Sequence, residues 1–232
     1  MKKTSIKFLL LITFLSTIIY SFNVPKALLD EDLPVIKIYK KDIKDTNAKD
    51  LTYNQQIILI KKIQENVLEI NPKTETGIPQ GQPRRPKDLI NFKGGLCFDR
   101  SFSLELIFQK FGFDVRHVSL FRDVPNQNKF IDLTTKGVSS HSVTEVKTKK
   151  GWLIVDSNKN WIGLDSLMNP YSMKKISLSK FSVKWMNEST TYFYNNPSHY
   201  VYGIYSRHGY FHPPYVMIPD YNFYDLMYNF YD

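Results

Sequence analysis

The sequence predicts an α+β domain in which a helix carrying Cys97 packs on an antiparallel sheet carrying His141 and Asp156. Three observations lead there. A Phe- and Leu-rich stretch with helical spacing follows Gly94-Gly95-Leu96-Cys97. An alternating run over residues 113–121 comes directly after it. Two more short alternating runs, 140–147 and 152–157, are joined closely around Lys149-Lys150-Gly151, as in a hairpin.

Composition sets the limits. The chain has 232 residues, 42% hydrophobic and 23% charged, enough apolar mass for one real core and against wholesale disorder. Its one cysteine, Cys97, excludes an intrachain disulfide and any multi-thiolate metal site. The formal charge is +9. Three of those charges, Lys2, Lys3 and Lys7, lie within residues 1–22, which hold no acidic residue, so only +6 belongs to residues 23–232. That excess suits an acidic glycan or lipid headgroups as partner. No nucleic-acid partner is expected, since there is no Arg-rich stripe, zinc-finger spacing or phosphate-loop glycine pattern.

The elements follow in order. Residues 1–22 join a basic start to 15 uncharged residues from Phe8 to Phe22, which reads as a signal peptide or an N-terminal membrane anchor. No clean small-residue cleavage site follows, which favours the anchor. Either reading places the body outside the cytoplasm. Residues 23–50, mixed and Lys/Asp-rich with Pro25 and Pro34, read as a spacer. The core is expected over 51–191. It opens with an amphipathic helix over 51–70, apolar at Ile57, Ile60, Ile63, Val67 and Ile70. Residues 71–87 are Pro/Gly-rich and read as a loop, with Arg84-Arg85 in solvent.

The Cys97 helix has apolar residues on more than one side, so it is expected to be buried from several directions, with Gly112 as its C-terminal stop. Residues 123–137 read as a polar connection between strands. Residues 192–232 hold 11 of the 15 tyrosines and read as an irregular aromatic-rich extension wrapped on the core. His208 and His212 stand four apart, but Gly209 and Pro213 oppose the helix that would make them metal ligands. No metal and no cofactor is expected.

Cys97, His141 and Asp156 are the candidate catalytic residues. A thiol at a helix N-terminus meets positive potential and free N–H groups, which favour the thiolate. Those donors also suit an oxyanion, and the two glycines would let the chain turn and a substrate approach. Hairpin register makes the grouping testable. A two-residue turn at Lys149-Lys150 puts His141, Val143 and Glu145 on one face with Trp152, Ile154 and Asp156, with Asp156 opposite Val143 and diagonal to His141. An odd-length turn without a bulge would separate His141 from Asp156.

These segments resemble the transglutaminase-like superfamily, whose core is a circularly permuted papain-like fold. Gly95-Leu96-Cys97 with its helix, then Gly112 and the Arg116-His117-Val118 strand, is similar to that family's cysteine segment. His141 to Val146 and Gly151 to Asp156 resemble its His strand and its W-x-x-x-D strand. The resemblance covers roughly Asn91 to Asn158 and implies Cys97 as nucleophile, His141 as base and Asp156 as orienter. No tryptophan precedes Cys97 to serve an oxyanion; Asn91 is the candidate side-chain donor, or else an ordinary loop residue. No EF-hand-like calcium loop is present. Tyr202 to Gly209 and Pro213-Pro214-Tyr215 are similar, more loosely, to the ends of bacterial transglutaminase-like proteins found with exopolysaccharide genes.

The expected activity is that of an exported cysteine enzyme acting on an amide or peptide bond through a thioester. Its substrate would be a peptide, a protein or a glycan-linked amide, and its setting the envelope polysaccharide machinery. The alternative is a non-catalytic module that binds a polysaccharide or peptide at the cell envelope, with tail aromatics as stacking platforms. The same aromatics also read as core and lid packing.

Overall fold

The computed structural model describes residues 2–189, 191–206 and 219–231. It is an α+β fold built on a four-stranded antiparallel sheet in the order β3-β2-β1-β4. The helices are α1 (Lys2–Phe22), α2 (Leu33–Tyr39), α3 (Tyr53–Ile70), α4 (Pro86–Phe92), α5 (Cys97–Lys110), α6 (Lys129–Thr134), α7 (Met173–Leu178), α8 (Tyr192–Asn195) and α9 (Phe223–Tyr231). The main strands are β1 (Val115–Arg122), β2 (Ser140–Thr148), β3 (Gly151–Val155) and β4 (Ser198–Tyr202); β5 (Ile204–Tyr205) and β6 (Asp220–Tyr221) form a small second sheet.

Each helix near the site has a local cause. The amphipathic run forms α3, entered through a capping box: Gln55 N–H donates to Thr52 Oγ1, and Thr52 N–H donates to Gln55 Oε1 at 2.8 Å. In α5 every residue from Asp99 to Phe108 is buried. The helix runs between the sheet, α3 and α4, which explains its apolar residues on several sides. It ends in a Schellman motif: Gly112 N–H donates to Gln109 O and Phe113 N–H to Phe108 O, with Gly112 at φ +81°.

The sheet separates two cores. Val115, Val146, Leu153 and Val155 face α3 and α5, meeting Ile60, Ile63, Leu104, Ile107 and Phe108. Val118, Leu120, Val143 and Ile154 face the other way, onto Trp161, Met173, Ile176, Phe193 and Tyr194. Because strand side chains alternate, a one-residue slip would exchange these sets, so burial on both faces fixes the register. The β2–β3 turn is the two-residue Lys149-Lys150, pairing Thr148 with Gly151 and Thr144 with Val155.

Several expectations change. Residues 23–50 are no bare spacer. Val24, Ile36, Tyr39 and Ala48 are buried, and α2 packs on α3 and α4, because this stretch carries enough apolar residues to extend the core. The Arg84-Arg85 pair is not solvated: Arg84 is buried against Asp99, and Arg85 pairs with Asp32. The connection over 123–137 contains α6, with Asn128 as its N-cap. The stretch from 192 is no mere extension, since β4 completes the main sheet beside β1. Among the described residues no helix is long and apolar enough to cross a membrane. Helix α1 exposes Phe8, Leu9, Leu10 and Phe14.

Candidate active site

The rim of the sheet where β1 and β3 end and β2 and β4 begin gathers the three predicted residues. Cys97 is the first residue of α5, His141 the second of β2, and Asp156 follows the last of β3. Thr144 points to the α5 face, where its hydroxyl donates to Ser101 O at 3.0 Å. By alternation His141, together with Glu145, Ile154 and Asp156, belongs to the opposite face. Thiol and imidazole therefore meet across the rim, from opposite sides of the sheet.

His141 Nε2 lies 3.3 Å from Asp156 Oδ2, which leaves Nδ1 for the Cys97 sulfur. The imidazole is 4% exposed and stacks on Phe193, ring centroids 5.9 Å apart at 21°. Asp156 is wholly buried and multiply held. Its Oδ2 also accepts from Tyr194 Oη at 2.7 Å and Thr191 Oγ1 at 3.2 Å. Its Oδ1 accepts from the backbone N–H groups of Asn158 and Lys159 at 2.6 and 2.9 Å. From α3, Gln64 Nε2 donates to the Asp156 and Trp161 carbonyls at 2.7 and 2.8 Å and fixes the turn that carries the carboxylate.

The electrostatics follow from these contacts. Burial pushes the Cys97 thiol up, but the hydrogen bond and charge of His141, the Ser142 N–H and the Arg100 charge outweigh it, so the thiol falls below its ordinary value. Burial alone would lower His141; the Asp156 charge and hydrogen bond, with Cys97, raise it well above the ordinary imidazole range. Asp156 is held low by His141, Tyr194 and the Asn158 N–H against its own desolvation. The state these interactions favour is a thiolate beside an imidazolium.

Arg100, one turn beyond Cys97 and 1% exposed, donates to Asn158 Oδ1 and brings its charge near both Cys97 and Asp156. It, Tyr194, Thr191 and Gln64 escaped sequence reasoning. Only Arg100 carried a local sign, a cation three residues after the cysteine on the same helix face.

Two expectations about the surroundings fail. Asn91 is exposed on α4 and makes no hydrogen bond to Cys97, His141 or Asp156 among the described residues. Its helix directs it to a shallow groove with Ile78, Gln82 and Phe92 instead. The donors left for an oxyanion are the first-turn N–H groups of α5, which have no carbonyl partner within the helix. The space beside Gly95 belongs to the protein, since a Cβ there would lie 2.6 Å from Leu89 Cδ1 and 2.9 Å from Asp99 Cβ. The glycine admits a close approach of chain to chain. His208, His212 and residues Arg207 to Tyr215 of the tail resemblance lie outside the described residues.

Comparison with protein-family models, with curated proteins and with solved structures finds no match.

Proposed function

We propose that this protein is a cysteine-dependent enzyme of the transglutaminase-like, permuted papain-like kind, acting on a carboxamide or peptide bond. One observation carries the reading. Cys97 at a helix start meets His141, which is itself hydrogen-bonded to Asp156, and the charges of this group favour a nucleophilic sulfur. The α+β arrangement, with the thiol helix on an antiparallel sheet, supports the same fold.

The reaction follows from the series. The Cys97 thiolate attacks the carbonyl carbon, and the first-turn N–H groups of α5 face the developing oxyanion. The His141 imidazolium gives its proton to the departing nitrogen as the C–N bond breaks, leaving an acyl thioester on Cys97 and a neutral imidazole. Water or a second amine then gives its proton to His141 as it attacks the thioester, which frees the thiolate. Asp156 holds the ring and stabilises its charge without taking the proton. Hydrolysis and amine transfer use the same residues and differ only in the acceptor. The basic start and uncharged run of α1 support export, which would put this chemistry at the cell envelope on protein- or glycan-linked amides.

The test is to incubate the full chain with a glutamine-containing peptide, with and without a labelled primary amine. Ammonia release and amine incorporation are read in wild type and Cys97→Ala. Release or incorporation lost in Cys97→Ala is expected; activity retained in that variant overturns the proposal.

A further inference from the structure

A second cluster lies on the same rim and shares no residue with the Cys97 series. Asp123 follows β1, Asp132 sits in α6 and His199 is in β4. One ligand atom from each lies within 4.8 Å of the other two. His199 Nε2 is 3.2 Å from Asp132 Oδ2 and 3.5 Å from Asp123 Oδ1.

An imidazolium bridging two carboxylates would explain the proximity, but the geometry opposes it. His199 Nε2 is buried from solvent yet makes no aligned hydrogen bond to either carboxylate. Asp132 strengthens the point. Its side chain is 0% exposed, Oδ2 accepts from the Val124 N–H at 3.1 Å, and Oδ1 has no hydrogen-bond partner among the described residues. A buried carboxylate oxygen left without a partner is costly, so one that persists needs an explanation.

A metal ion chelated by both oxygens of Asp132 would supply it. With metal–ligand distances of about 2.0–2.2 Å, neighbouring ligand atoms in octahedral or tetrahedral coordination stand about 3.0–3.5 Å apart. The two observed separations match those edges. Asp123 and His199 are both partly exposed, at 38% and 24% of their side chains, which gives an ion a route in and leaves positions for water.

We propose that Asp123, Asp132 and His199 bind one divalent first-row transition-metal ion of the zinc–manganese class. Two carboxylates and an imidazole suit these ions better than a soft ion that needs thiolates. Bound there, the ion fastens the 123–137 connection and β4 to the end of β1. His199 pairs with Phe121, which pairs in turn with Ser140, the neighbour of His141. The ion would thus stiffen one wall beside the imidazole while taking no part in the chemistry.

The experiment titrates the chelator-treated full chain with Mn²⁺ alone and with Zn²⁺ alone, by calorimetry and by thermal melting. One ion per chain is expected for wild type and for Cys97→Ala, with a rise in melting temperature. Affinity should fall more than about 100-fold in His199→Gln and in Asp123→Asn, beyond the loss of an outer-sphere partner. Asp123 is partly exposed, so Asp123→Asn keeps the test open if His199→Gln folds poorly. The proposal is overturned if neither ion binds stoichiometrically, or if binding is unchanged in both His199→Gln and Asp123→Asn. Binding lost in Cys97→Ala instead overturns it by placing the ion on the thiol.

Discussion

Replacing His141 with Gln removes the charge and the hydrogen bond that counter the desolvation of Cys97. What remains is burial, pushing the thiol up, against the Ser142 N–H and the Arg100 charge. An opposite charge at hydrogen-bond range shifts an ionisation by about 1–3 pH units, equivalent to about 10- to 1000-fold in thiolate population below the pKa. A thiol returned just to the ordinary value of 9.0 is about 0.3% ionised at pH 6.5, about 300-fold below a wholly ionised wild type, and the burial left in the variant pushes in the same direction. Iodoacetamide reacts with the thiolate, so its second-order rate constant at pH 6.5 reads this population. The expected result is a drop of at least about tenfold in His141→Gln, and a wild-type rate that levels off at a lower pH than the variant's. A His141→Gln protein that keeps its melting temperature and reacts within twofold of wild type would refute the reasoning.

Three further outcomes follow. Tyr194→Phe removes the 2.7 Å hydrogen bond to the buried Asp156 carboxylate and should cost about 1.5–3 kcal/mol in urea unfolding, since a charged acceptor loses a donor. Asp156 titrates lower in the folded chain, at about 2 against 3.8, so its contribution is present above pH 4 and is lost as pH falls through 2. Wild type should lose stability over that window, and Asp156→Asn should show a shallower acid limb in urea midpoints measured from pH 5 to pH 2. Arg84→Ala leaves Asp99 buried without its cation and should cost about 3–5 kcal/mol in the same assay, whereas an exposed Arg would cost almost nothing.

The sequence made the grouping of His141 with Asp156 legible because its geometry is local. His141 and Asp156 are 15 residues apart in one hairpin, and a two-residue turn fixes which side chains share a face. The periodicity of α3 and the glycine stop of α5 are equally local. What remained hidden is what supports the site from a distance. Tyr194 and Thr191 reach Asp156 across 38 and 35 residues, and Gln64 reaches it across 92. No spacing rule links such positions. The Arg84-Arg85 pair misleads for a related reason: its Pro-rich surroundings read as a solvated loop, but Asp32 and Asp99 arrive from other elements. The segment over 23–50 misleads because charge dominates its composition while a few apolar residues, Ile36 and Tyr39 among them, decide its burial.

The dependence of Asp156 on Thr191 and Tyr194 also has a meaning in time. A chain is made from its N-terminus, and its segments can fold as they emerge. Cys97, His141 and Asp156 are all synthesised before the two hydroxyls that hold the carboxylate, and before β4, which completes the sheet beside them. The nascent protein thus carries its thiol for a while without the finished partner that would sharpen it. On the proposed reading of Cys97 as a nucleophile, its full set of supporting contacts is complete only once the late aromatic segment has docked.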